Sequence, residues 1–490
     1  MAEELTRGTS FATSVVQCPA MTADHYDIGH ITIDIVPDEV LLEIFAFYLC
    51  GDGDEEEWQT LVHVCRRWRS IVFGSPLSLN LRIVCTDEAD NEALDIWPAF
   101  PIIIRMTEFN GDLEDNLLIA FKHRDRICEI HVHNFPDDGS DELPLVMEEP
   151  FPILTVLDIR SKEESYSFLP DSFLGGSAPS LRSLYLQGIE YPALPKLLSS
   201  APCLIRLHLV DIPDWDISPE AMVDSLSSLT RLEQLELHCL GPRSNHASRP
   251  PPPLTRTVLP VLTSLAFGGE GEYLDHLFAL THFPLLKDVD IAFRPSVIFD
   301  VSQISRFIGH TEAFEVFDQA HMLFNRDNVE VTVSSSKGAT DDASFMLSMR
   351  CRDSVWRLKF LNRVRRPFSP PFPTREGFDY IRLEDRSVPR WAWNVETRWG
   401  TVLQLFTAVE NLYLSFWLTE FVMLALQDHA AEQGVVTEVL PRLQNIFMER
   451  SERFESVIVH EAIGKFVAAR ELSGRPVTVQ HWSRRWKVDG

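Results

Sequence analysis

Nine side chains able to exchange protons or pair charge sit at alternating positions in short apolar segments: His131 and His133, Asp158 and Arg160, Tyr185, Arg206 and His208, Glu236 and His238. Their types suit three kinds of chemistry, namely metal ligation, acid–base transfer or recognition of a charged partner. Metal ligation fits poorly, because the four histidines are spread over three separate segments with no carboxylate at ligand spacing. An ordinary polar strand face would use the same residues. The functional alternative makes His131, Asp158, Arg160, Tyr185, Arg206, His208, Glu236 and His238 candidates for holding a target protein.

Other motifs that would carry chemistry fail on inspection. Asp52, Asp54 and Glu56 have the spacing of a calcium loop, but Glu57 stands where glycine is needed and His63 where the bidentate glutamate belongs. Gly268, Gly269 and Gly271 surround Glu270, an acid where a phosphate would lie, and no Lys-Ser/Thr follows. Neither a G-x-S-x-G elbow nor an H-E-x-x-H helix occurs. Trp391, Trp393 and Trp399 form a local aromatic group of the kind that fills cores. The expectation is a chain that is not an enzyme and needs no cofactor and no metal. An enzyme with an unrecognised site in residues 295–405 is the contrary reading.

Charge narrows the partners. The 490 residues carry 44 Lys and Arg against 72 Asp and Glu, a formal charge of −28. Such a chain repels phosphate backbones, and Arg484, Arg485 and Lys487 are too few to offset that, so no nucleic acid and no membrane partner is expected. The N-terminal MAEELTRG lacks the apolar core of a secretory signal, and the most apolar window, Leu412–Leu426, is short for a bilayer span. Eight scattered cysteines without a C-x-x-C pair fit reduced thiols in the cytosol, the nucleus or both.

The elements that position the polar residues come from a repeated pattern, L-x-x-L-x-L with aliphatic or aromatic substitutes. It occurs as Ile127/Ile130/Val132, Leu154/Leu157/Ile159, Leu181/Leu184/Leu186, Leu204/Leu207/Leu209, Leu232/Leu235/Leu237, Leu262/Leu265/Phe267 and Leu286/Val289/Ile291. Successive starts lie 27, 27, 23, 28, 30 and 24 residues apart, close to the roughly 20–29 residues of a leucine-rich repeat. Alternation then sends the fourth and sixth positions inward and their neighbours to solvent. The repeat's usual Asn or Cys at position nine is replaced by Phe135, Lys162, Ile189, Ile212, Leu240, Glu270 and Arg294, so irregular curvature is expected. Weaker copies begin at Phe314, Val355, Val409 and Leu443, and residues 295–405 fit the pattern badly.

Upstream, Val36–Leu49 reads VPDEVLLEIFAFYL, with Asp38 and Glu39 suited to a helix start and one apolar face of Val40, Leu41, Ile44, Phe45, Tyr48 and Leu49. A second helical segment over 55–73 carries Leu61, Val64, Cys65, Trp68, Ile71 and Val72, and stops at Gly74 and Pro76. A helical hairpin or small trihelical unit follows, too small to stand alone.

The order Pro37-x-Glu39-Val40-Leu41-x-x-Ile44-Phe45, then Leu61-x-x-Val64-Cys65-x-x-Trp68, resembles the F-box motif, with Val36 in place of the usual leucine and an acidic insertion at Gly51–Glu57. The resemblance implies docking to the adaptor subunit of a cullin-RING ubiquitin ligase through Pro37, Leu41, Ile44, Phe45, Leu61, Val64, Cys65 and Trp68. The stretches Trp58–Pro76 and Glu461–Val477 give the whole chain a resemblance to the large basidiomycete group of F-box proteins with degenerate leucine-rich repeats.

The expected architecture is α/β: a flexible arm over 1–30, an F-box over 31–80, an irregular leucine-rich repeat-like solenoid over 81–455, and a C-terminal helix and tail over 456–490. The expected function is substrate recognition for an SCF-type ligase, with an unknown target protein on the solenoid. The alternative is a repeat scaffold in which the N-terminal hairpin is only a cap.

Overall fold

The computed structural model of the chain describes residues 33–49, 58–86, 94, 97–107, 118–135, 147–161, 167–213, 217–239, 256–293, 319–325, 328–334, 344–350, 380–386, 399, 403, 406, 408–432, 439–450 and 457–482. The arm over 1–30, the acidic insertion before Trp58, Trp391 and Trp393, and the weak copies at Phe314 and Val355 lie outside them. The chain divides into two units, Met1–Leu81 and Arg82–Gly490.

In the first unit a short 3-10 turn, Ile33–Ile35, leads into helix α1, Asp38–Leu49, followed by α2, Trp58–Val64, and α3, Arg66–Gly74. The Pro37 carbonyl accepts the first helical bond from Leu41 N at 3.1 Å, so proline sits where its missing N–H costs nothing. Asp38 and Glu39 occupy the first turn, where the positive end of the helix favours them. Arg67 ties the entry down, with Nε 2.9 Å from Asp38 Oδ1 and Nη1 3.2 Å from the Ile33 carbonyl.

The single helix expected over 55–73 is two helices, broken at Cys65. That residue is extended (φ −156°, ψ 170°), and its Sγ accepts from Trp68 N, replacing one bond that the helix start would lack. Leu41 and Phe45 of α1, Trp58, Leu61 and Val62 of α2, and Ile71 and Val72 of α3 are buried. The Phe45 and Trp68 rings are 4.7 Å apart and the Trp58 and Phe73 rings 6.3 Å.

Among the described residues the second unit is built on one large mixed sheet of sixteen strands. Its first part comprises β1 Ile83–Thr86, β2 Ile102–Met106, β3 Ile127–Phe135, β4 Val156–Ser161, β6 Ser183–Gln187, β8 Arg206–Ile212, β9 Gln234–Cys239, β11 Ser264–Gly269 and β13 Asp288–Phe293. All are parallel. Two short parallel pairs lie beside it, β5 Ser167–Phe168 with β7 Ile189–Glu190 and β10 Thr257–Val258 with β12 Thr281–His282.

The seven hexads fall in register. Ile130, Leu157, Leu184, Leu207, Leu235, Leu265 and Val289 form one row, and Val132, Ile159, Leu186, Leu209, Leu237, Phe267 and Ile291 the next. Every member is buried, as is the first residue of each hexad, which opens β3 and precedes each of the later strands. Period-two alternation thus gives each strand one core face and one open face. Short helices connect some of the strands: α4 Leu194–Ser199, α5 Pro219–Leu226 and α6 Gly271–Leu280. In α5, Ser218 caps Ala221 N at 3.2 Å and Pro219 takes the first helical position.

Residues 295–405, where the repeat pattern fails, contain a different device. Strands β14 Gln319–Asn325, β15 Asn328–Ser334 and β16 Ser344–Arg350 form an antiparallel meander, and the sheet order is β13-β16-β15-β14-β17, where β17 is Tyr380–Arg386. Only two residues separate β14 from β15, a length that permits an antiparallel return and no parallel crossover. Among the sixteen strands β15 alone runs against the rest.

Parallel order resumes with β18 Asn411–Leu414 and β19 Asn445–Glu449, the copies foreseen at Val409 and Leu443. Between them α7, Phe416–Glu432, buries Leu418, Val422, Met423 and Leu426. Helix α8, Val457–Leu472, stops just before Gly474, whose φ of 73° suits a glycine at a helix end. The expected tail is in part a strand: β20, Thr478–Trp482, pairs with β19 and extends the sheet beyond residue 455.

Candidate functional site

The open face of the sheet gathers most of the polar residues singled out above. Starting on β3, His131 Nε2 lies 3.4 Å from Glu129 Oε2, and its Nδ1 is 3.9 Å from Asp158 Oδ2 on β4. His133 reaches the same Asp158 oxygen at 3.8 Å. Arg160 donates two 2.9 Å bonds to Asp158 and lays its guanidinium 4.4 Å from the Tyr185 ring centre. Tyr185 stacks on His208 at 5.7 Å, and His208 Nδ1 is 2.7 Å from Glu236 Oε2. Glu236 Oε1 then lies 3.7 Å from His238. One unbroken run of contacts therefore crosses β3, β4, β6, β8 and β9. Arg206 stands outside the run, exposed in the adjacent row opposite Ser183 and Gln234.

Two groups were not foreseen. Glu129, itself bonded to Arg82, belongs to the run and shares the alternation parity of His131, so strand parity was the signal available. Farther along the same face, Arg382 lies 4.7 Å from the Trp482 ring centre and Tyr413 stacks on Phe447 at 4.2 Å. These sit on β17 to β20, where the hexads are weak.

Charge on the run is fixed by proximity. The carboxylates of Asp158 and Glu129 stabilise the imidazolium of His131 against its partial burial and raise its pKa to about 9. Burial opposes ionisation of Asp158, but His131 and Arg160 outweigh it and hold the carboxyl at about 2. The bond from His208 keeps Glu236 below the usual carboxylate range.

The sign of the pH dependence follows. The stabilisation from His131 is complete below its unfolded pKa near 6.5 and is lost as pH rises through about 9. That from Asp158 is complete above about 3.8 and is lost as pH falls through about 2. Asp158→Asn should lower the titration midpoint of the His131 ring, read from its imidazole proton resonances. A midpoint unchanged by that substitution would refute the pairing.

In the first unit the expected docking face separates into an inner and an outer set. Leu41 and Phe45 are each 1% exposed and Leu61 is 6% exposed, so these three stabilise their own unit and present no surface. Pro37, Ile44, Val64 and Cys65 are exposed and Trp68 is half-buried against Phe45. Outward beside Ile44 on α1 stand Val40, Phe47 and Tyr48, which the expected docking set did not include.

Residues 33–83 match the family model described as F-box-like. The chain thus carries an F-box-like domain, and α1 to α3 are its helices. Comparison with curated proteins finds no match. Among the described residues no group of three or more His, Cys, Asp or Glu side chains is arranged to hold a metal ion, and no helix is long and apolar enough to cross a membrane.

Proposed function

We propose that this chain is a non-catalytic substrate-recognition subunit of a cullin-RING ubiquitin ligase. Its F-box-like domain docks to the ligase adaptor, and the open face of the sheet holds a target protein. One observation carries the docking half. Eight of the fifteen exposed large apolar side chains among the described residues lie between Ile33 and Leu77, within the F-box-like match. Apolar surface concentrated on so short a segment marks a protein–protein contact.

The reading of the second unit as a leucine-rich repeat-like solenoid, of the kind found in the basidiomycete group the chain resembles, is supported by the seven in-register hexads. Their spacing of 23–30 residues and their row-on-row burial suit units that complete each other's cores. Target recognition on the run from Glu129 to His238 is supported by its alternation of acids and bases, which is suited to reading a polar partner. Holding the target beside the transfer machinery raises its effective concentration without a catalytic residue in this chain.

The test is co-expression with the adaptor, followed by size-exclusion chromatography with light scattering. A one-to-one complex is expected, weakened on the order of 100-fold or more by Ile44→Asp with Val64→Asp, because each places a charge in an apolar contact. Both positions are exposed, so the free protein should keep its melting temperature. Leu41→Asp would be uninformative, since it unfolds the domain from inside. A folded wild-type chain that does not bind the adaptor sinks the reading and leaves a repeat scaffold.

A further inference from the structure

We propose that the middle of the open face takes a lysine or arginine side chain of the target protein, held by Asp290 with Glu236 and Glu330 on either side. The proposal rests on the target-binding reading of that face and adds to it the chemistry of the partner.

The run of paired charges ends at His238 on β9, but the same two rows of the open face continue across the sheet. One row passes from Glu236 through Ala266 to Asp290 and Met346. The other passes from His238 through Gly268 and Ala292 to Ser348 and Glu330. Gly268, Ala292 and Ser348 are small, so the face sinks there between the larger side chains of β9 and β15. Four strand spacings separate those two strands, about 19 Å, wide enough to admit one side chain from a partner. The His238 ring leans into this recess, since a Cβ on Gly268 would lie 2.8 Å from its Cδ2.

Along the run each acid is matched by a base. Glu129 has Arg82 and His131, Asp158 has His131 and Arg160, and Glu236 has His208. Asp290 breaks this pattern. Its Oδ1 is buried and has no hydrogen-bond partner among the described residues, while the residue as a whole is partly exposed. Burial raises its pKa, His238 opposes that shift, and Glu330 and Glu236 add to it. Asp290 thus faces two other carboxylates and one imidazole, and the group that would complete the pattern is a cation bearing N–H donors. A lysine ammonium or an arginine guanidinium supplies both. A chain of formal charge −28 also attracts a basic partner from a distance.

The experiment is selection of a random phage-displayed peptide library on the purified full-length chain. Fluorescence anisotropy then measures the enriched peptides on wild type, Asp290→Asn and Glu330→Gln. The enriched peptides should share a lysine or arginine. Replacing that residue by alanine, or Asp290 by asparagine, should raise Kd on the order of 30-fold or more, and Glu330→Gln should raise it less. Both protein variants keep side-chain shape, so their melting temperatures should match wild type, and the alanine peptide tests the contact without touching the fold. Enriched peptides without a shared basic residue, or bound by Asp290→Asn within twofold of wild type, overturn the proposal. If Tyr185→Ala with His208→Ala still weakens those peptides, the target-binding reading of the face survives. A library that yields only peptides insensitive to every substitution on the face, or none, overturns both. Titration with calcium chloride alone supplies a further check. Calcium bound by wild type and not by Asp290→Asn would give the recess to a metal ion and overturn the basic side chain as its occupant.

Discussion

Phe45→Ala should cost the F-box-like domain about 3–5 kcal/mol, the range for removing a buried phenylalanine from a packed core. Phe45 is 1% exposed and its ring lies 4.7 Å from that of Trp68, so truncation leaves a void between α1 and α3. Stability of about 0.05–0.15 kcal/mol per residue gives a unit of roughly 50 residues only a few kcal/mol to lose. Hydrogen exchange should show the amides of α1 to α3 losing protection, while the central strands of the sheet keep theirs. Unchanged protection in α1 would show that Phe45 is not a core residue. Phe47→Ala is the natural control. It lies two positions along the same helix, on the outer face, and should leave exchange unaltered.

Arg470→Met should stabilise the chain by about 1–4 kcal/mol. Arg470 is fully buried in α8, yet only one of its three nitrogens finds acceptors: Nη2, at 2.9 Å from the Leu443 carbonyl and 3.5 Å from that of Pro441. Nε and Nη1 are buried without partners. Burial and the nearby Arg475 both depress its pKa, which shows that the charged form is held at a cost. Methionine fills much of the same volume and asks for no hydrogen bonds. Thermal denaturation should therefore give a higher Tm for Arg470→Met and a lower one for Arg470→Ala, which leaves a cavity. A lower Tm for the methionine variant would mean that the bond to Leu443 outweighs two unsatisfied donors.

Much of the sheet was legible because its signal is local and repeated. Ile130, Leu157 and Leu184 each announce a strand through alternation alone, and even spacing implies that the strands stack. The end of α8 was legible for a similar reason, since Gly474 and Pro476 act on the backbone within one turn. Cys65 was not. Apolar spacing runs evenly through Leu61, Trp68 and Val72, and only the extended backbone at Cys65 splits the helix, a decision periodicity does not encode. Equally, spacing placed Leu41 and Ile44 on one face, but which of two neighbouring stripes turns inward depends on what packs against them. Val331 and Val333 of β15 alternate like any other strand residues, and nothing in that alternation states direction. The polar run was legible residue by residue, whereas its continuity from Glu129 to His238 depends on a register that only the folded ladder supplies.

The reversed strand has a consequence for biogenesis. The strand that neighbours β13 in the sheet is β16, which lies about fifty residues later in the chain, after β14 and β15. At ribosomal rates of about 5–20 residues per second, the growing edge of β13 waits roughly 3–10 seconds for its cover. Throughout that interval the first part of the sheet is complete but open, presenting unpaired backbone donors and acceptors to any other nascent chain. The edge of β11 waits for a shorter stretch, since β13 begins at Asp288 after β11 ends at Gly269 in the same chain. Its yield in cells should therefore depend on synthesis speed and chaperone supply across residues 294–350 more than on the final stability of the sheet.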